Sequence, residues 1–300
     1  MTASRPDFSG VFPPIPTAFD ANGAIDFDAQ AQNMAHWEAT PLEGYVVGGS
    51  NGEYVSLEQS ERIEMVRFVR SHIGEGRLVI AGSGMHSTAS TIELSQAMAE
   101  AGADSVLVVT PSYYKSKMDH RTLVEYFSAV ADQSPVPVLL YNVPANTGID
   151  MSVETIVELS AHENIAGVKD SSGDVAKMGE VVHRARAAFH VLAGSGGSLL
   201  GALAMGAVGA VPALGNIAPR QVHNIWTLAR AGDIEAAREQ QLPLIAVNQA
   251  VTARKGVPGL KAAMDMLGLY GGPPRPPLLP LQQVELDQLR STLEQGGLLA

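Results

Sequence analysis

Short apolar runs recur along the chain at residues 11–16, 45–48, 78–81, 106–109, 138–141, 166–169, 191–193 and 208–211. Runs of this length bounded by turn residues suit buried strands, because a helix needs a longer periodic stretch to cover a core. Polar-flanked segments of helical period follow them, as at 57–72 behind a cap at Ser56, and at 87–100, 121–131, 152–160 and 175–186. Strands alternating with helices at about thirty-residue spacing imply parallel strands joined by helical crossovers. Eight such units fit a closed (β/α)8 TIM barrel more economically than an open doubly wound sheet.

Helical segments continue past the eighth unit, at 220–231, 233–251 and 259–267, with a Gly/Pro-rich passage at 271–280 and an amphipathic helix near 284–293. The expected division is a barrel over 1–219 and a packed C-terminal helical extension over 220–300. One nearly uncharged stretch, Gly196 to Gly215, is long enough to cross a bilayer of about 30 Å. Its glycines, its proline and its lack of aromatic or basic flanks favour a helix at 199–205, a turn at Gly206-Ala207 and a buried strand at 208–212.

Composition narrows the function. A chain of 300 residues with 46% hydrophobic and 17% charged residues can bury one large core, and no charge block or low-complexity linker divides it before its last thirty residues or so. A net charge of −11 opposes binding to nucleic acid or anionic lipid, so small polar metabolites are the expected partners. The absence of cysteine removes disulfides, thiolate catalysis and cysteine-bound metals, and suits a reducing cytoplasm. The stretch from Met1 to Phe8 has no apolar leader segment, so a cytoplasmic protein is expected. The eight histidines form neither His-Glu-x-x-His nor His-x-His. Gly82-Ser-Gly84 and Gly194-Ser-Gly196 lack the further glycine of a dinucleotide fingerprint, and no Gly-Lys-Ser/Thr loop occurs. Neither metal nor cofactor is expected.

In a barrel the reactive groups gather at the C-terminal ends of the strands. Lys169 alone among the six lysines lies within an apolar run, Ile165 to Ser171. An amine held away from water is favoured in its neutral, nucleophilic form. The ordinary alternative is a buried ion pair, for which Asp170 is a poor direct partner because adjacent strand residues face opposite ways. Tyr141 closes its strand and offers a phenol for proton transfer, although strand ends often carry structural tyrosines. Ser50 and Asn51 lie among Gly48, Gly49 and Gly52, where backbone N–H groups can approach a carboxylate, or simply form a tight turn. Glu53 reads as structural, bonding within its own turn or opening a helix.

Three segments, Gly48-Gly-Ser-Asn-Gly-Glu53, Tyr141-Asn-Val-Pro-Ala-Asn-Thr-Gly148 and Gly167-Val-Lys-Asp-Ser171, resemble the signatures of the dihydrodipicolinate synthase/N-acetylneuraminate lyase superfamily of class I aldolases. The resemblance covers almost the whole chain. It implies that Lys169 is the Schiff-base residue and Tyr141 the proton shuttle. It further implies that Ser50 relays protons to a tyrosine of a neighbouring subunit, matching Tyr114 with Tyr113 beside it. Ser171 and Gly194 match substrate-contacting positions, and a homotetramer is implied. Within the superfamily, Ser50-Asn51, the segment Val143 to Gly148, and the segments from Ala250 to Pro273 are most similar to 4-hydroxy-2-oxoglutarate aldolases, which release pyruvate and glyoxylate. Dihydrodipicolinate synthases, which condense pyruvate with aspartate semialdehyde, usually carry an arginine where this chain has Asn146. The expected activity is therefore the aldolase. The synthase and a non-catalytic 2-oxo-acid sensor are the alternatives.

Overall fold

The computed structural model describes residues 6–299; residues 1–5 of the stretch read for a leader lie outside it. Among the described residues the sheet has eight parallel strands: β1 (Gly10–Val11), β2 (Gly44–Val47), β3 (Leu78–Gly82), β4 (Ser105–Val109), β5 (Val138–Asn142), β6 (Ile165–Asp170), β7 (His190–Ala193) and β8 (Gly209–Ala210). From β2 to β8 each strand pairs with the next in sequence, and β1 pairs with β8. The remaining gap closes just after β1. Ile15 N–H donates to the Val46 carbonyl at 3.0 Å, and Val46 N–H donates to the Pro13 carbonyl at 3.0 Å. The eight strands thus form a TIM barrel, as the pattern predicts.

Two strands are shorter than their apolar runs. Over 11–16 only Gly10–Val11 pairs as strand, because Pro13, Pro14 and Pro16 have no N–H to give a ladder. Over 208–211 the ladder is confined to Gly209–Ala210, between β7 and β1. The membrane-like stretch breaks as expected into a helix at Leu199–Ala204, a turn at Gly206 and β8, with a further turn at Gly196–Ser198 ahead of the helix. No described helix is long and apolar enough to cross a membrane.

Strand side chains alternate between two cores. Val46, Ile80, Leu107, Leu139, Ala166 and Leu192 fill the lumen, while Val47, Val79, Val108, Leu140 and Val168 face the helices. Those helices are α1 (Phe27–Glu38), α2 (Gln59–Ser71), α3 (Thr88–Glu100), α4 (His120–Gln133), α5 (Val153–Ser160), α6 (Val175–Arg184), α7 (Leu199–Ala204) and α8 (Pro219–Arg230). α4 shows why they pack: Leu123, Tyr126, Phe127 and Val130 repeat at helical spacing and are all buried. Each such side chain contributes about 1.5–3 kcal/mol.

Several helix ends depart from the pattern. α2 starts at Gln59 with Glu58, not Ser56, as its cap, in a capping box with Glu61. Ser56 is spent in a tight turn, Tyr54–Ser56, that leaves Leu57 extended. α6 stops at Arg184, because Arg186 turns back to donate to the Ile165 carbonyl at 2.9 Å.

α8, the first helix of the expected extension, instead packs on β1 and α7 and completes the helical ring of the barrel. α9 (Ile234–Gln249) passes through a wide turn, Ala250–Arg254, into α10 (Gly256–Met266), and α11 (Gln283–Gln295) lies across both. The passage after α10 returns to the barrel mouth, where Tyr270 exchanges hydrogen bonds of 2.9 and 2.8 Å with the Asn33 side chain.

Candidate active site

Lys169 is on the lumen face of β6, in register with Tyr141 on β5, and its Nζ lies 4.1 Å from the centre of the Tyr141 ring. The two side chains are 2% and 5% exposed, which removes both from bulk water. The next pair in register, Asn142 and Asp170, faces the opposite way. Asn142 Nδ2 donates to Asp170 at 3.1 Å and to Asp150 at 2.7 Å, and Lys177 Nζ stands 3.5 Å from Asp170. Asp170 is therefore engaged behind the sheet, and the Lys169 amine faces the phenol.

The Ser50–Gly52 turn reaches this pair from the end of β2. Gly48 has φ +67°, and a Cβ on Gly82 would fall 2.1 Å from the Gly48 carbonyl, so the ends of β2 and β3 approach as only glycines allow. Ser50 Oγ lies 3.4 Å from the Tyr141 hydroxyl. Burial pushes the Tyr141 phenol up, but the Lys169 charge and hydrogen bonds from Ser50, Lys169 and Ser171 outweigh it, so the phenol ionises below its ordinary range. Asn51 Nδ2, beside Ser50, is buried without a hydrogen-bond partner among the described residues. An orphan donor there suits an incoming carboxylate oxygen.

Ser171 and Gly194 meet on the far side of Lys169. Gly194 N–H donates to the Asp170 carbonyl at 2.7 Å, and a Cβ on Gly194 would fall 2.0 Å from Ser171 Oγ. Five of the residues singled out in the sequence (Lys169, Tyr141, Ser50, Ser171 and Gly194) thus converge, with Asn51 at their edge. Tyr114 does not join them within one chain. It is 70% exposed, packed edge-on against Tyr113 with ring centres 5.0 Å apart.

Sequence reasoning missed Arg62. It lies on the buried face of α2 with Met65, Val66 and Val69, a helical spacing that marks a cation on an apolar stripe. Its Nη2 donates to the Gly82 carbonyl at 2.7 Å, and its guanidinium stands 5.1 Å from the centre of the Tyr54 ring. Burial pulls it down to about 10. Arg62, Tyr54 and Tyr141 line one small cavity at the mouth. Asn146 is exposed on a single helical turn, Pro144–Thr147, and the basic side chain beside that turn is Lys115. The described residues hold no group of three or more His, Asp or Glu side chains able to bind a metal.

The arrangement has clear relatives. Residues 7–296 match the Dihydrodipicolinate synthetase family. The 4-hydroxy-tetrahydrodipicolinate synthase of Thermoanaerobacter sp. (strain X514) is 32% identical over 295 residues, covering 98% of each chain. An uncharacterized DapA-like lyase of Halobacterium salinarum is 37% identical over 290 residues, 97% of this chain and 94% of that one. Among solved structures, a prophage protein of E. coli K12 belonging to the dihydrodipicolinic acid synthase family, in complex with pyruvate, superposes with a TM-score of 0.91 at 32% identity. That match covers 97% of this chain and 99% of the other.

Proposed function

The chain belongs to the dihydrodipicolinate synthetase family of pyruvate-dependent carbon–carbon lyases, and we propose that it works through an imine on Lys169. The observation that carries this is the buried amine facing a phenol of lowered pKa, with a serine hydroxyl at hand. The amine attacks the carbonyl of a 2-oxo acid such as pyruvate, and the carbonyl oxygen leaves as water. In condensation the protonated imine loses a proton from the neighbouring carbon, and the resulting enamine attacks the aldehyde. In cleavage the electrons of the breaking C–C bond pass to the imine, the aldehyde leaves and the enamine is reprotonated. In both directions water hydrolyses the imine to free Lys169. Tyr141 moves the proton to or from the partner's oxygen, with Ser50 as relay. Asn51, Ser171 and the backbone opened by Gly194 hold the acid.

For the second substrate, the named relatives support condensation with aspartate semialdehyde, the 4-hydroxy-tetrahydrodipicolinate synthase reaction, over cleavage of 4-hydroxy-2-oxoglutarate. One residue favours the cleavage as a second reading: Asn146 offers no guanidinium fork for a semialdehyde carboxylate. Parallel assays separate them. Product from pyruvate plus aspartate semialdehyde supports the synthase, and glyoxylate from 4-hydroxy-2-oxoglutarate supports the aldolase. In either assay Lys169→Ala is expected to lose at least about 1000-fold in rate while keeping the native circular dichroism spectrum. Near-native turnover in that variant would remove the imine from the reaction.

A further inference from the structure

We infer that Glu53 and Lys261 are positioning residues for the imine chemistry: their buried contact lets the C-terminal extension hold the turn that presents Ser50 to Tyr141. The inference rests on the reading of Lys169 as the imine-forming residue. Glu53 Oε1 lies 2.7 Å from Lys261 Nζ, an ionic contact outside hydrogen-bond geometry, with both side chains 1% exposed. The other carboxylate oxygen accepts the Arg275 N–H at 2.8 Å. Both oxygens are therefore held from the tail, from α10 and from the passage that follows it. Lys261 is fixed in turn by the Pro273 carbonyl at 2.9 Å and by the face of Phe19, whose ring centre is 4.4 Å away.

The backbone shows what this grip does. Glu53 is the single described residue other than glycine with positive φ, at 56°, and its own N–H closes the turn onto the Ser50 carbonyl at 3.1 Å. A side chain in the left-handed region is strained, and glycine would occupy the position freely. A glutamate persists there because its carboxylate is anchored. A buried ion pair adds little to stability over a well-packed apolar pair, so stability alone does not account for it. It does account for a turn held in one conformation three residues from Ser50, whose hydroxyl must meet Tyr141.

The test compares the full-length wild type with E53Q and with the double variant E53Q/K261M. The double variant removes both charges at similar volume and guards against misfolding of the single one, which strands a buried ammonium. Borohydride trapping of pyruvate counts competent Lys169, and turnover is expressed per trappable lysine. The expected result is a tenfold or greater rise in KM for pyruvate and a tenfold or greater fall in turnover per trapped lysine, with the pH–rate limb of Tyr141 moving upward as the Ser50 hydrogen bond is lost. Purely structural residues would lower the trappable fraction and leave KM, turnover per lysine and the pH limb unchanged, which would overturn the inference. Absence of trapping in the wild type would instead remove the imine reading, and the inference with it.

Discussion

Tyr141 shows how one side chain acquires a chemical property from neighbours distant in sequence. The Lys169 charge and hydroxyls from Ser50 and Ser171 offset the burial that would otherwise hold its proton. The direction sets a test: the phenolate forms below the ordinary tyrosine value of about 10, so activity should rise with pH through a limb centred lower than that. Tyr141→Phe should remove the limb and slow turnover about 100-fold or more, leaving borohydride trapping on Lys169 measurable. Gly194 supports a steric prediction. Since a Cβ would meet Ser171 Oγ at 2.0 Å, Gly194→Val should displace Ser171, raise KM for the 2-oxo acid and cost about 1–3 kcal/mol in denaturant unfolding. Lys169, Tyr141 and Ser50 were legible in the sequence because each ends an apolar run or follows a glycine, whereas Ser171 and Gly194 came only from the family resemblance. Arg62 was not legible, because its acceptor, the Gly82 carbonyl, lies on another element and no local pattern marks a cation on a helical stripe as buried.

At the scale of elements, the junction between α2 and the passage after α10 is held by one side chain. The Arg275 guanidinium donates to both Glu61 oxygens, at 2.7 and 2.8 Å, and to the Ser56 carbonyl at 2.8 Å. The hydrogen bonds from Arg275 hold the Glu61 carboxyl below its ordinary value. A lowered carboxyl stabilises the fold fully above its unfolded pKa of about 4.3, and that contribution fades as pH falls through the folded value. Arg275→Met should therefore lower the melting temperature at neutral pH, with a loss of about 1 kcal/mol because the pair is partly solvated. The gap to wild type should narrow below about pH 4; a gap that widens there would contradict the assignment. The same junction explains why Ser56 failed as a cap. Its carbonyl is committed to Arg275, a partner more than 200 residues away that no local pattern reveals.

Over the whole molecule, the Tyr113–Tyr114 pair, 76% and 70% exposed, marks an apolar surface that one chain leaves uncovered. We propose, on the family resemblance alone, that a second copy of the chain covers that surface. Light scattering should accordingly give a multiple of the 31.5 kDa chain mass, and Tyr114→Ala should lower both the mass and the turnover per trapped lysine. A full-activity monomer would withdraw Tyr114 from the proton relay. The number of strands, their parallel order and the end of the barrel at which the polar residues gather were determined by the sequence alone. They follow from local signals, namely apolar runs of strand length, alternation with amphipathic helices, and polar residues at the run ends. Tertiary structure alone decided how the ring closes at Pro13 and Val46, that Asp170 finds Lys177 and Asn142 as its partners, and that the tail reaches back to grip Glu53. Each of these depends on groups far apart in the chain meeting at one distance and angle, which periodicity along the sequence does not encode.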